Sequence, residues 1–100
     1  MSKIKLAQHY LIYLLYVFAI LEQVHNQAEF LMHRGRALNV LPSYSKEAED
    51  CLSKAVKLDP KLAEAWVYLG ECYWKNADVE SARNCFVGAL NHVCIQIQLY

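Results

Sequence analysis

The sequence predicts an all-α chain: short antiparallel helical hairpins stacked side by side, preceded by an apolar N-terminal helix. Three observations lead there. Chain breakers are few, three Gly and two Pro in one hundred residues, and they separate runs of helical length. The chain also echoes itself. Displaced by 34 residues, Ala48, Leu52, Ala55 and Val56 fall on Ala82, Phe86, Ala89 and Leu90; displaced by 35, Leu31, Gly35 and Leu38 fall on Trp66, Gly70 and Tyr73. Such a period marks helical pairs that cannot bury their apolar faces alone and must stack. Finally, the echo preserves small residues where two helices need to approach closely. Gly70 and Ala82 are expected to face each other, with Trp66, Tyr73 and Phe86 filling the wider gaps on either side.

The first run is apolar or aromatic at fifteen of the eighteen positions from Ile4 to Leu21. Lys3 and Lys5 precede an uncharged stretch, residues 6–21, which is the layout of a signal peptide or short anchor. Its sixteen residues fall below the roughly 20 that span a bilayer comfortably. The following "EQVHNQA" lacks a small-x-small cleavage site, and Gln8, His9, Tyr10, Tyr13, Tyr16 and Phe18 make the run less lipid-like. Three readings stay open: a signal or anchor, a helix packed on the repeats, and an extension foreign to the fold. The polar tips of the tyrosines suit a half-buried helix, so the run is expected to fold back over an otherwise open face.

A second helix is expected over about Gln27–Val40, ending before "LPSYS", since Pro42 disfavours helix at Leu41. Ser45 can cap the third, Lys46–Leu58, with Glu47 near the positive end of its dipole and Asp50 four residues before Lys54. "LDP" ends it. Asp59 is the expected cap of the fourth helix, Lys61–Lys75, with Pro60 in its first turn. "KNAD" is a turn, and Asp78 caps the fifth helix, Val79–Val93. Only "CIQIQLY" at the end has strand-like alternation. The organisation is thus an apolar segment 1–24, a first hairpin 27–60, a second hairpin 61–94 and a tail 95–100.

Trp66, Leu69, Gly70, Tyr73, Ala82 and Phe86, with Ala89 after them, fit the pattern W-x-x-L-G-x-x-Y…A-x-x-x-F of the 34-residue tetratricopeptide repeat. There are departures. Ala77 stands where Gly is usual, and Asn76 is expected to supply the left-handed conformation there. Cys94 stands where Pro is usual. Arg34 stands where Leu69 stands in the second hairpin, so the first is the more degenerate. Beyond the generic pattern, "GRALNV", "SYSKEAE", "CLSKAVKLDP", "EAW", "YWKNADVESA" and "CFVGAL" resemble the N-terminal repeats of the tetratricopeptide repeat protein 5, or stress-responsive activator, family. The resemblance covers about Ala28–His92. It implies non-catalytic adaptors with a helical-repeat body and a C-terminal oligonucleotide-binding-type barrel. It further implies roles in stress-responsive transcriptional co-activation and in recognition of nascent tubulin that triggers tubulin mRNA decay, hence a cytoplasmic and nuclear location. The first 24 residues do not match, and the later repeats and barrel are not in this sequence. None of the family's ligand-contacting residues therefore carries over, and the chain reads as a fragment of such an adaptor.

The function classes follow. Ten acidic and ten basic residues leave no net charge, so nothing draws this segment to nucleic acid. Cys51, Cys72, Cys85 and Cys94 lack metal-ligand spacing, and no metal site, disulfide or cofactor is expected. No G-x-S-x-G, phosphate loop or paired metal-ligand helix occurs; His9, His25, His33 and His92 are scattered, and no catalytic residue is expected. The expected activity is binding of a protein or peptide in a groove lined by first-helix residues: Met32, Arg36 and Asn39, then Val67, Glu71 and Trp74. Trp74 is an aromatic beyond those the repeat needs; it either faces that groove or packs on a neighbouring segment. Arg36 and Lys75 are either a clamp for a carboxylate or backbone carbonyl or solvated charge. The alternative is a membrane-associated or secretory-pathway hairpin anchored through residues 6–21. Self-association is a further outcome of a short stack with an open apolar face.

Overall fold

The computed structural model describes the backbone of residues 3–98 and the side chains of residues 3–95. Among the described residues four helices follow in order: α1 (Lys3–Leu38), α2 (Lys46–Leu58), α3 (Ala63–Lys75) and α4 (Val79–Gln98). α1 pairs with α2, α3 pairs with α4, and α3 packs on α2 while touching α1. The breaks fall at the expected places around Pro42, Pro60 and Asn76. No strand occurs among the described residues. Cys94–Gln98 continue α4, since extending a helix satisfies one backbone bond per residue and a lone strand satisfies none. Leu99 and Tyr100, the end of the expected tail, lie outside the described residues.

The expected break after Leu21 does not occur. The residues from Glu22 to Asn26 include neither Gly nor Pro. A change from apolar to polar composition alters which solvent a helix prefers without interrupting its backbone. α1 therefore runs unbroken for 36 residues, a length of roughly 54 Å at the usual rise, and the molecule is 63 Å long. This overturns the expected folding back. Residues 3–16 are exposed throughout, and full burial on α1 is confined to Ala28, Met32 and Gly35.

Local chemistry sets the remaining termini. Ser45 Oγ accepts the Ala48 N–H at 3.3 Å, and Glu47 and Glu49 sit in the first turn of α2, where the dipole favours them. Asp50 pairs back to Lys46 at 3.6 Å rather than forward to Lys54. The start of α3 differs from expectation: Asp59 accepts the Lys61 N–H at 3.1 Å, but the helix begins only at Ala63, after Leu62. Pro60 is left in the turn, and its carbonyl accepts the Trp66 indole N–H at 2.9 Å.

The α3–α4 turn is a Schellman motif. The Asp78 N–H bonds the Tyr73 carbonyl at 2.9 Å and the Ala77 N–H bonds the Trp74 carbonyl at 3.1 Å. Ala77 takes φ 63°, whereas Asn76 stays at φ −85°. The left-handed residue is thus Ala77, at the usual glycine position, and not Asn76. Asp78 at once accepts the Ser81 N–H at 3.2 Å and starts α4.

The core gathers Met32, Ala48, Leu52, Ala55, Val56, Ala65, Leu69 and Cys72 between α1, α2 and α3, and reaches α4 at Cys85. Two glycine slots set the helix spacing. A Cβ on Gly35 would lie 2.5 Å from Leu52 Cγ, and one on Gly70 would lie 2.7 Å from Phe86 Cε1. Leu52 and Phe86 are repeat equivalents, so both hairpins use the same contact. The expected Gly70–Ala82 pairing is corrected accordingly: Phe86 occupies the space Gly70 leaves, while Ala82 and Ala89 are buried nearby on α4. A third glycine, Gly88, admits the Trp66 ring, with a looser 3.1 Å to Cε3. Ser81 is half-buried beside the groove between α2 and α4.

These contacts predict opposite signs for two small changes. Gly70→Ala gains helix propensity but drives a methyl into an aromatic ring, and should destabilise by about 1–3 kcal/mol. Ala77→Gly relieves a left-handed alanine and should stabilise by about 1 kcal/mol. Gly88→Ala should cost far less than Gly70→Ala. Urea unfolding of the three variants checks the order.

Candidate protein-docking face

The six residues the sequence assigns to a partner groove form three pairs, each 35 residues apart: Met32 with Val67, Arg36 with Glu71, and Asn39 with Trp74. The structure buries the first member of the Met32–Val67 and Asn39–Trp74 pairs only; Arg36 and Glu71 are both exposed. Met32 and Asn39 are buried, at 4% and 7% exposure, and the Arg36 guanidinium lies 5.4 Å over the Tyr68 ring. Met32 and Asn39 are thus covered where Val67 and Trp74 are open, whereas Arg36 stays exposed; Met32 still borders a depression of about 210 Å³ with Glu29, Lys61 and Glu64. Val67, Glu71 and Trp74 are exposed, Trp74 at 63%, because among the described residues no helix lies on α3 as α3 lies on α1.

The same contrast holds on the second helices. Val56 is buried, whereas its equivalent Leu90 is 64% exposed. Leu52 is fully buried and its equivalent Phe86 only half so. The outcome is an apolar end face on α3 and α4. One depression of about 390 Å³ is lined by Glu71, Trp74, Lys75 and Phe86. Another of about 430 Å³ runs from Ala63, Glu64 and Val67 across Phe86 to Ala89, Leu90 and Val93. Phe86 belongs to both: one part of its ring fills the Gly70 slot and the rest floors the face. The other repeat-packing residues lie beneath. Leu69, Gly70, Ala82 and Ala89 are buried; Trp66 and Tyr73 are half-buried.

Lys75 is a clamp, and what it clamps is this chain. Its ammonium donates to the Asn39 carbonyl at 2.7 Å, to Asn39 Oδ1 at 2.8 Å and to the Leu41 carbonyl at 2.9 Å. A cation here satisfies the carbonyls left over where α1 ends. At the other end of the stack, His25 Nδ1 meets Asp59 Oδ2 at 2.8 Å and Nε2 meets Glu29 Oε1 at 3.3 Å. The Asp59 hydrogen bond raises the His25 pKa above the ordinary histidine value; desolvation opposes the rise and the charge of Glu29 supports it. Trp66 also stacks on His92, with ring centroids 5.9 Å apart. The four cysteines carry no disulfide. Burial pushes the Cys72 thiol up to about 11 and raises Cys85 as well, so both are held as neutral thiols. Among the described residues no cluster of three or more His, Cys, Asp or Glu could hold a metal ion.

No protein-family model matches the chain. Curated proteins do. The chain is 54% identical over 80 residues to tetratricopeptide repeat protein 5 of Bos taurus, 55% to that of Mus musculus and 52% to that of Homo sapiens. The aligned region is 80% of this chain but 18% of each relative, so the chain spans less than a fifth of their length. The hairpins are tetratricopeptide repeats. The chain is a homologue of tetratricopeptide repeat protein 5 over this region.

Within that repeat frame, sequence reasoning did not assign Leu90, Val79, Val87 and Val93 to the face, although all four are exposed apolar residues on α4. A signal for Leu90 was present. It echoes Val56, so it is apolar at a position that a stacked neighbour buries. Lys75 was missed as an internal clamp because its acceptors lie 34–36 residues away, in a turn whose geometry sequence does not give.

Two outcomes follow. Lys75→Met leaves three acceptors without their donor and should lower stability by about 1–3 kcal/mol. His25 should titrate above the ordinary histidine midpoint. Its pairing with Asp59 is favourable while the ring is charged, so its contribution to stability is full below the unfolded pKa and is lost as pH rises through the higher folded one. Two-dimensional NMR of the imidazole resonances should show Asp59→Asn lowering that midpoint.

Proposed function

We propose that this chain is a non-catalytic adaptor module that binds a protein partner through the end face around Val67, Glu71 and Trp74. The observation that carries the reading is the exposure on α3 and α4 of positions whose equivalents on α1 and α2 are buried under a helix. Similarity to tetratricopeptide repeat protein 5 supports an adaptor, and the resemblance implies a place in stress-responsive co-activation or in recognition of nascent tubulin, in the cytoplasm and nucleus. Trp74, large and exposed beside Phe86, is the anchor residue in this reading.

A second reading has its own observation. α1 is long and apolar enough to cross a membrane, and its apolar stretch is not buried. In that case the hairpins dock a partner at a membrane surface.

A tagged chain expressed in stressed cells separates the two. The adaptor reading expects it in the soluble cytoplasmic and nuclear fractions, bound to proteins that Trp74→Ala releases and Lys54→Ala does not. Recovery in membranes that resist carbonate extraction would favour the anchored form. Unchanged binding on Trp74→Ala would sink the choice of face.

A further inference from the structure

We infer that the chain associates with a second copy of itself, the apolar stretch of α1 from one copy lying along the α3–α4 end face of the other. The inference deepens the adaptor reading by naming an occupant of the same face. Four observations converge on it. First, the structure shows what covers a face of this kind. The equivalent surface of the first hairpin, with Met32 and Val56, is buried under a helix, α3. The occupant is therefore a helix laid alongside, not a loop or a strand.

Second, the chain carries an exposed apolar helix that has no route to its own end face. α1 is continuous from Lys3 to Leu38, so its N-terminal part projects away from the hairpins and no hinge allows it to turn back. A surface and a complement that cannot meet within one molecule can meet between two.

Third, the lengths agree. The uncharged residues 6–21 form about 24 Å of helix, and α3 is about 20 Å long. Fourth, the charges agree. Glu71 and Glu64 rim the face, and no acidic residue occurs from Lys3 to Leu21. Nothing in the run repels the rim, and tyrosine hydroxyls at positions 10, 13 and 16 can donate to it. The contact is heterologous: helix to face, not helix to helix or face to face. It closes as a dimer if two copies exchange their N-terminal helices reciprocally.

Because the two surfaces differ, complementation tests the pairing. One full-length variant carries Ile12→Lys and Tyr16→Lys, both at exposed positions one helical turn apart. The other carries Trp74→Lys and Leu90→Lys. Circular dichroism and urea unfolding first establish that each is folded. By light scattering on a sizing column, the wild-type chain should be at least dimeric and each variant alone monomeric. A mixture of the two should recover a dimer, since one intact helix and one intact face remain. A wild-type monomer would overturn the inference. So would a helix variant that dissociates while the face variant does not, which would indicate bundling of the N-terminal helices. A chain that is monomeric and floats with phosphatidylcholine vesicles through residues 6–21 would also overturn it. A monomeric wild type whose other bound proteins are still released by Trp74→Ala would overturn self-association and leave the adaptor reading standing.

Discussion

Everything in this small stack depends on how closely two helices can approach at a glycine. In each hairpin a first-helix glycine yields its side-chain volume to a large residue of the second, Leu52 against Gly35 and Phe86 against Gly70. That contact fixes the interaxial distance, and the distance decides which neighbours can be small. Ala48, Ala55, Ala82 and Ala89 are all buried because helices held this close leave no room for more. The tetratricopeptide pattern is thus a volume rule before it is a sequence motif: large residues are permitted only where an opposing glycine or an open groove admits them.

The two hairpins share that rule and differ in how their turns end. The first connection, residues 39–45, is longer than the second, residues 76–78, and it contains no left-handed residue among those described. The carbonyls of Asn39 and Leu41 are therefore left pointing outward, and Lys75 from the neighbouring hairpin supplies the missing donor. The second connection closes on itself through Ala77 and Asp78. It needs no donor from outside. Stacking of the first hairpin under α3 is accordingly partly polar, whereas the exposed equivalent surface on α3 and α4 has an indole, Trp74, where the first hairpin has Asn39.

Much of this was legible from residue spacing. The 34-residue echo located the hairpins, because packing constraints recur with the repeat and act on side-chain volume, which sequence displays directly. The helix ends at Ser45 and Asp78 were legible because capping is local chemistry. The reading failed where the deciding contact was not local. The break expected after Leu21 treated a change of composition as a change of backbone. The burial of Met32 and Asn39 was not legible because a single repeat, read alone, does not show that the next repeat covers the first. Asn76 was preferred to Ala77 as the left-handed residue on intrinsic preference. The hydrogen bonds of the turn, which fix one position whatever its residue, outweighed it.

The end face is consequently more than an unfinished copy of the internal interface. An incoming helix that imitated α3 would bring a lysine at the place of Lys75, where the carbonyl of Trp74, the counterpart of Asn39, is already bonded by the Ala77 N–H. Its charge would be set down beside an indole and Phe86, where the first hairpin offers the Asn39 side chain. A helix that is apolar and aromatic along its length, with hydroxyls rather than ammonium groups at its polar points, meets no such mismatch. The sequence supplies a helix of that composition in its own residues 6–21, on an element held straight and away from the hairpins. The exchange of Asn39 for Trp74 at the equivalent position therefore favours an apolar helix on this face over a copy of α3.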